Sequence, residues 1–312
     1  MRIDLHAHVI PPGYRAGLRG PDGADPPLPP ATLEGLEAMM ARYAIDAAVV
    51  SPGPPGAFLG DQARANELAR TVNEELAAIA RAQPARFAAL ATLPLPDVDA
   101  ALAELAHALD TLGMDGAWLL SHVGGTYLGA PEWEPLYAEL DRRAAYVFVH
   151  PALPPFRPPL EHPVWLYEFP FDTTRAIANL IYGGAFERHP RIRFQFAHLG
   201  GTAPFLAHRI ASLADREPEQ ATAAPAGTLE YLRRQWYDTG LSNHALAVRG
   251  ALEVTTPDRI VFGTDWPYAA LPADGGDPAP ELDELGASVR AQVDSANAAT
   301  LVPRLAEAVA GA

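Results

Sequence analysis

The feature that most limits the fold of this chain is a regular alternation of short apolar runs with longer amphipathic segments. The runs indicate buried strands, and the segments indicate helices. The predicted strands are 2–10, 47–53, 87–93, 116–122, 146–150, 193–198, 236–241 and 259–265. The predicted helices are about 32–44, 62–83, 97–112, 133–144, 172–188, 203–215, 227–234 and 244–255. Because strands apolar on both faces belong to parallel sheets covered by helices, eight such units predict an α/β fold, a (β/α)8 barrel of the TIM type with C-terminal helices.

Length and motif content agree with this fold. The chain has 312 residues, of which 49% are hydrophobic, and a (β/α)8 barrel needs about 250. We therefore expect one domain over residues 1–312. A doubly wound open sheet is the alternative, but no Gly-x-Gly-x-x-Gly motif follows the first predicted strand.

Charge and composition exclude several classes of function. A net charge of -15 argues against nucleic acid as a partner. No apolar run reaches the roughly 20 residues of a membrane span, and the first strand begins at residue 2 without a preceding signal segment, so we expect a cytoplasmic protein. All 23 basic residues are arginine and there is no cysteine, which excludes Schiff-base lysines, carbamylated-lysine bridges and thiolate ligands. A metal would have to be a single ion on histidine and carboxylate.

Five polar residues lie at the ends of predicted strands. His6 and His8 are two positions apart in the first strand, so they share one face. His150, His198 and Asp265 end the fifth, sixth and eighth strands. A barrel gathers these ends on one rim, where three neutral histidines and one carboxylate can hold a divalent ion and leave a position for water or substrate. Alone, a His-x-His pair is equally typical of a packed strand, but five such residues indicate a site.

Two long loops and several arginines complete the predicted pocket. Residues 11–31 and 151–171 are rich in proline and aromatic side chains and follow strand ends, so we expect them to form the pocket wall. An anionic substrate also needs local positive charge, for which the metal and Arg157, Arg175 or Arg209 are available. The alternative for each arginine is a surface or helix-end ion pair.

Several motifs resemble those of the amidohydrolase superfamily. They are His6-x-His8, VFVHP at 147–151, FPFDTTRAI at 169–177, FAHLGG at 196–201 and GTD at 263–265. Within the superfamily the chain resembles the branch of aminocarboxymuconate-semialdehyde decarboxylase and the salicylate- and resorcylate-type decarboxylases. The similarity spans residues 2 to 268 and is most specific through 147–210.

The resemblance implies a metal centre and assigns roles within it. One divalent ion, zinc with manganese as the alternative, is held in that branch by residues that match His6, His8, His150 and Asp265. The residue that matches His198 is an acid/base group near the metal. In the salicylate-type members the metal-bound carboxylate is the suggested proton donor, which would give Asp265 both roles.

The resemblance also implies substrate contacts and a partner subunit. Trp165 matches an aromatic pocket residue, and Phe169, in the same loop, is a further candidate for substrate binding. Arg209 matches an arginine that dimers of the branch offer to the neighbouring subunit's substrate, so a homodimer is expected. The first-loop arginine of the branch has only Arg15 and Arg19 as candidate counterparts.

These observations predict a metal-dependent, nonoxidative decarboxylase of a small aromatic or unsaturated carboxylic acid. A hydrolase of a lactone or amide is the first alternative, because its metal ligands could be identical. A noncatalytic barrel that keeps the metal for stability or binding is the second, and the intact set of rim residues argues against it. The similarity through 147–210 favours the decarboxylase.

Overall fold

The computed structural model describes residues 1–20 and 23–311, which form a parallel barrel of eight strands. The barrel strands are Ile3–His8, Ala47–Ser51, Phe87–Thr92, Gly116–Leu120, Tyr146–His150, Arg193–Phe196, Trp236–Asp238 and Ile260–Val261. Each strand pairs in parallel with the next. The ring closes because the backbone nitrogen of Leu5 donates to the carbonyl of Phe262 over 2.9 Å and Ala7 bridges Trp266 in parallel. The predicted (β/α)8 fold is confirmed.

Helices cover the outside of the barrel and follow its last strand. They are Pro12–Gly17, Leu33–Arg42, Gln62–Ala82, Val98–Ala106, Glu134–Arg142, Glu168–Tyr182, Ala185–Arg188, Ala203–Arg216, Pro218–Ala223, Thr228–Arg234, Ala245–Leu252, Ala287–Ala291, Ala298–Leu301 and Pro303–Ala310. Side-chain caps fix four of the starts, since Thr32, Asp61, Asp97 and His244 each accept a hydrogen bond from a first-turn backbone nitrogen. Across the two described stretches, no helix has the length and apolar character needed to cross a bilayer.

The barrel interior is closed at the end where the strands begin, opposite their carboxyl ends. Apolar side chains from the starts of strands, such as Ile3 and Ala47, pack in one buried cluster with Leu301 and Leu305 of the C-terminal helices. Arg304 strengthens this closure by donating to both carboxylate oxygens of Asp115 at 2.8 and 2.9 Å. Access to the interior is therefore from the carboxyl rim, where the predicted site residues lie.

Seven of the eight predicted strands are longer than the observed ones, and the last three of them bear on the site. The predicted strands 193–198, 236–241 and 259–265 end at Phe196, Asp238 and Val261. After the sixth and eighth strands the chain leaves the β conformation, since His198 and Asp265 both have a φ of 57°. Such a value is uncommon outside glycine and cannot continue a strand. The two residues thus lie on the loops that follow their strands.

Several other predicted bounds also differ from the structure. The loop 11–31 contains the helix Pro12–Gly17, and its residues 21 and 22 lie outside the described residues. The helix predicted to begin at residue 172 begins at Glu168, because a proline such as Pro170 is tolerated in a first turn. A short hairpin, His122–Val123 with Thr126–Tyr127, was not predicted.

Candidate metal centre and active site

Five side chains meet at the carboxyl rim of the barrel. The ring of His6 lies 5.1 Å from the ring of His8, 5.2 Å from that of His150 and 5.1 Å from that of His198. Asp265 completes the group, with its Oδ1 3.2 Å from Nε2 of His8 and its Oδ2 3.2 Å from Nε2 of His198. All five side chains are buried. The structure thus brings together every strand-end residue that the sequence singled out.

The donor atoms suit a divalent cation. Within the described chain, one ligand atom from each of His6, His150, His198 and Asp265 lies within 4.8 Å of the others. Nε2 of His6 and Nε2 of His150 are buried and have no hydrogen-bond partner among the described residues. Nε2 of His6 is 3.1 Å from Oδ1 of Asp265, but without hydrogen-bond geometry. Imidazole nitrogens that have no hydrogen-bond partner and lie beside a carboxylate form the set of donor atoms that zinc and related ions prefer.

Hydrogen bonds orient three of the imidazoles from behind. Nδ1 of His6 is 2.9 Å from Oδ1 of Asp238, and Nδ1 of His8 is 3.0 Å from Oγ of Ser51. Nδ1 of His150 donates to the carbonyl of Pro151 over 2.8 Å. In each ring this leaves Nε2 for the centre of the site. Such partners fix the ring orientation and tautomer of metal-binding histidines.

The electrostatics of the site favour positive charge at its centre. Burial lowers the pKa of His8, and burial with the neighbouring histidines holds the pKa of His150 well below its usual value, so both rings are neutral. Burial also acts to lower the pKa of His6, but the carboxylates of Asp238 and Asp265 outweigh it and raise that pKa to about 10. A pocket that stabilises a proton on His6 would also stabilise a cation held between the same carboxylates.

Asp238 is a buried part of the site that was not predicted from the sequence. It ends the seventh barrel strand and is fully buried. Its Oδ1 also accepts from the backbone nitrogens of His198 at 3.2 Å and Gly240 at 3.0 Å. The sequence did carry one signal for it, because Asp238 is a carboxylate near the end of a strand that neighbours the strands of His198 and Asp265.

Unusual backbone conformations position His198 and Asp265. The left-handed conformation of both residues turns their side chains towards each other across the rim. Gly201, three residues after His198, makes this turn feasible, because its φ is 66° and a Cβ atom there would collide with the carbonyl oxygen of Pro170. Strained residues of this kind concentrate at functional sites.

A cavity of about 680 Å³ opens beside the metal-binding group, and we call it the metal cavity. Its lining includes His150, Asp265, Trp165, Phe169 and Tyr268 together with residues of both long loops, such as Leu18, Leu28 and Leu153. The prediction that these loops form the pocket wall is confirmed. The lining is largely apolar, and burial raises the pKa of the Tyr268 hydroxyl to about 12, so that this group stays protonated and can donate a hydrogen bond.

The arginines proposed for substrate binding lie outside the lining of this cavity. Arg175 is half exposed on the helix Glu168–Tyr182, where its guanidinium is 3.9 Å from both Glu168 and Asp172. Arg209 is exposed on the helix Ala203–Arg216, and Arg157 is exposed in the loop 151–171. Their roles in substrate binding stay predictions.

Comparison with known proteins agrees with this geometry. The sequence profile of the amidohydrolase family matches residues 3–304. The chain is 33% identical over 325 residues to 6-methylsalicylic acid decarboxylase of Penicillium expansum, with 97% of each protein covered. It is 29% identical over 253 residues to gamma-resorcylate decarboxylase of a Rhizobium species, with 74% of this chain and 75% of that protein covered.

Solved structures give the same result. The chain matches a crystal structure of an amidohydrolase II with a TM-score of 0.87 and 26% identity, over 97% of this chain and 100% of the other. The chain is an enzyme of the carboxy-lyase class. It belongs to the amidohydrolase family, in the branch that includes the 6-methylsalicylic acid and gamma-resorcylate decarboxylases.

Proposed function

We propose that this enzyme is a metal-dependent decarboxylase that removes CO2 nonoxidatively from a small aromatic acid of the 2-hydroxybenzoate type. The observation that carries the proposal is the position of His150 and Asp265, which belong both to the metal-binding group and to the lining of the metal cavity. An ion held there would meet the carboxylate of a substrate whose ring lies against apolar walls. The names of the relatives, which are decarboxylases of aromatic acids, support this substrate class.

The proposed ligands are His6, His8, His150 and Asp265, and the proposed ion is zinc, with manganese as the alternative. The anchored Nδ1 atoms of the three histidines support this set. No hydrogen bond among the described residues anchors Nδ1 of His198, which suits a ring that exchanges protons. When bound, the ion would attract the substrate carboxylate and offset the negative charge that develops as CO2 leaves.

The remaining chemistry is a proton transfer that the protein itself can perform. Breaking the carbon–carbon bond leaves its electron pair on the ring carbon, and that carbon must take up a proton. Nε2 of His198 and Oδ2 of Asp265 are 3.2 Å apart, so a proton can pass between these two atoms. We propose His198 as the main acid/base group, with Asp265 sharing the role.

A positive group beyond the metal would help an anionic substrate to enter an acidic protein. Of the two first-loop arginines, Arg19 is paired with Asp25 at 2.8 Å. Arg15 donates to the carbonyl oxygens of Leu28 and Pro29, and no carboxylate of the described chain pairs with it. Its charge also acts on Tyr268 in the cavity lining. These contacts support Arg15 rather than Arg19 as the first-loop residue that attracts substrate.

A direct assay of products tests the proposal. Metal-loaded enzyme is incubated with 2-hydroxybenzoate, its 6-methyl derivative and 2,6-dihydroxybenzoate, and both CO2 and the corresponding phenol are measured. We expect equimolar CO2 and phenol, loss of both after chelation, and recovery on adding the ion back. A panel of aryl lactones and amides is run in parallel. Acid release from that panel without CO2 from the benzoates would contradict the proposal and favour the hydrolase.

A further inference from the structure

A separate, smaller cavity adjoins the metal cavity on the side of the second, third and fourth barrel strands. It measures about 190 Å³, and we call it the side cavity. The two cavities share four lining residues, Pro54, Pro55, Leu153 and Phe169. The ring of Trp118, which lines the side cavity, lies 6.2 Å from the ring of His150. The side cavity is therefore within reach of a substituent on a molecule bound at the metal.

Three residues that line this cavity each carry a buried polar atom without a partner among the described residues. Thr92, Trp118 and His122 all belong to its lining. Thr92 Oγ1, Trp118 Nε1 and His122 Nδ1 are buried, and the described residues provide none of them with a hydrogen-bond partner. A buried donor or acceptor without a partner is costly, so three of them on the side chains that line one cavity indicate that a bound group completes their hydrogen bonds.

The chemistry of these atoms limits the group that would bind. The indole nitrogen of Trp118 can only donate, whereas the hydroxyl of Thr92 can donate or accept. Nε2 of His122 is 3.1 Å from the carbonyl of Leu153, which can only accept, so Nε2 carries a hydrogen. In a ring with one hydrogen, Nδ1 is then an acceptor. Within the described lining there is no arginine or carboxylate. The cavity thus suits a neutral group that both donates and accepts.

We propose that the side cavity is a substrate subsite for a short arm on the aromatic ring that ends in a hydroxyl or a similar neutral group. This inference rests on the proposed function, because it assumes that the ring lies in the metal cavity. The acid that the enzyme takes would then carry a polar-ended arm, and the apolar part of the arm would lie against Leu153 and Phe169, which line both cavities.

The test compares two arms of equal size. The ligands are 3-butylphenol and 3-(3-hydroxypropyl)phenol, the products expected from the matching 2-hydroxybenzoates, and their Kd values for the metal-loaded enzyme are measured by calorimetry. The proteins are wild type, Thr92→Val, which replaces the hydroxyl by a methyl group, and Thr92→Ser, which keeps the hydroxyl. Because Thr92 Oγ1 has no partner among the described residues, Thr92→Val should fold as stably as wild type.

We expect wild type and Thr92→Ser to bind the hydroxyl arm about three- to tenfold more tightly than the butyl arm, since a neutral hydrogen bond contributes about this much. In Thr92→Val and in Trp118→Phe this preference should shrink or reverse. Tighter binding of the butyl arm by wild type, an unchanged preference in Thr92→Val, or no binding of either phenol would overturn the inference. So would a crystal structure of the complex with only water in the side cavity.

The two proposals fail in different ways. If no benzoate releases CO2, the proposed function is wrong, while the binding of the phenols still decides the subsite. The matching 2-hydroxybenzoates that carry the butyl or the hydroxypropyl arm are also assayed as substrates. If 2-hydroxybenzoate is decarboxylated but Thr92→Val has the same kcat/KM as wild type for both of these acids, the proposed subsite is wrong. The proposed decarboxylase function then stands.

Discussion

Nδ1 of His6 donates to Oδ1 of Asp238 over 2.9 Å, and both side chains are fully buried. The bond turns Nε2 of His6 towards the centre of the site, so Asp238 would act on the proposed ion through its proposed ligand. Removing the charge in Asp238→Asn should weaken the binding of the ion by about 10- to 100-fold, as is typical for such partners. Competition with a metal-sensitive chelator measures the change. Asp258→Asn, at an exposed carboxylate, is the matched control, and wild-type affinity in Asp238→Asn would contradict this role.

The proposed centre should hold one divalent ion per chain. Elemental analysis of protein purified without chelators should give a ratio near one, with zinc as the expected metal. The double variant His6→Ala plus His8→Ala removes two of the three proposed imidazole ligands and should lose the ion. Two ions per chain, or full affinity in the double variant, would show that the ligands are different.

His198→Ala should keep the ion and lose activity. An acid/base residue typically contributes about 10²- to 10⁴-fold to kcat, and we expect a loss in this range. Asp265→Ala should lose the ion as well as the activity. Metal content and kcat measured on both variants separate the roles. If His198→Ala loses the ion while Asp265→Ala retains it, ligand and acid/base group are exchanged. The donor atom of His198 does lie within 4.8 Å of those of His6, His150 and Asp265.

We predict a homodimer in which Arg209 lies near the active site of the neighbouring subunit. The side chain is exposed on the helix Ala203–Arg216, two residues beyond the buried Ala207. Arg209→Ala should raise KM severalfold and leave the free energy of unfolding nearly unchanged, because the side chain would contact the substrate carboxylate rather than the core. Sedimentation and steady-state kinetics test both parts. A fully active monomer, or unchanged kinetics in the variant, would refute the prediction.

Asp4 should make stability depend on pH between about 4 and 6. Burial raises its pKa from 3.8 to about 6, against the hydrogen bonds that it accepts from Thr264 and from the backbone of His6. In this window the folded protein binds more protons at Asp4 than the unfolded chain does, so the stability falls as pH rises. The difference in the free energy of unfolding between wild type and Asp4→Asn should therefore fall by about 3 kcal/mol from pH 3.5 to pH 7. Urea titrations of both proteins at each pH measure this difference. If the free energies of unfolding of wild type and Asp4→Asn changed in parallel with pH, the raised pKa of Asp4 would be contradicted.

Most of the barrel could be predicted because its strands are apolar on both faces. The strand Tyr146–His150 is entirely buried, and its predicted bounds are those observed. The ends of the sixth and eighth strands could not be predicted, because the left-handed conformations of His198 and Asp265 follow from the fold around them rather than from their residue types. The hairpin around Gly124 and Gly125 carried a turn signal, but its strands are only two residues each.

The convergence of the site residues was predictable, whereas the support around them was not. His6 and Asp265 could be placed together because strand ends meet at one rim of a barrel. Asp238 ends a strand of three residues, and its position beside the strands of the predicted ligands gave only a weak sign of its role. The side cavity depends on how Thr92 and Trp118 pack across neighbouring strands, and such packing follows from three-dimensional contacts rather than from sequence spacing.

The closure of the barrel by its first and last strands also affects the order of folding. His8 and Asp265 are 257 positions apart, yet their side chains are in contact. Contacts of this sequence separation form slowly, because a long loop must close before they contribute any stability. During synthesis on the ribosome, a nascent chain would carry His6 and His8 from the outset but would lack a complete ion site until its eighth strand emerged. The proposed ion would therefore bind tightly only to chains whose ring is complete, and would draw partly folded chains towards the closed barrel.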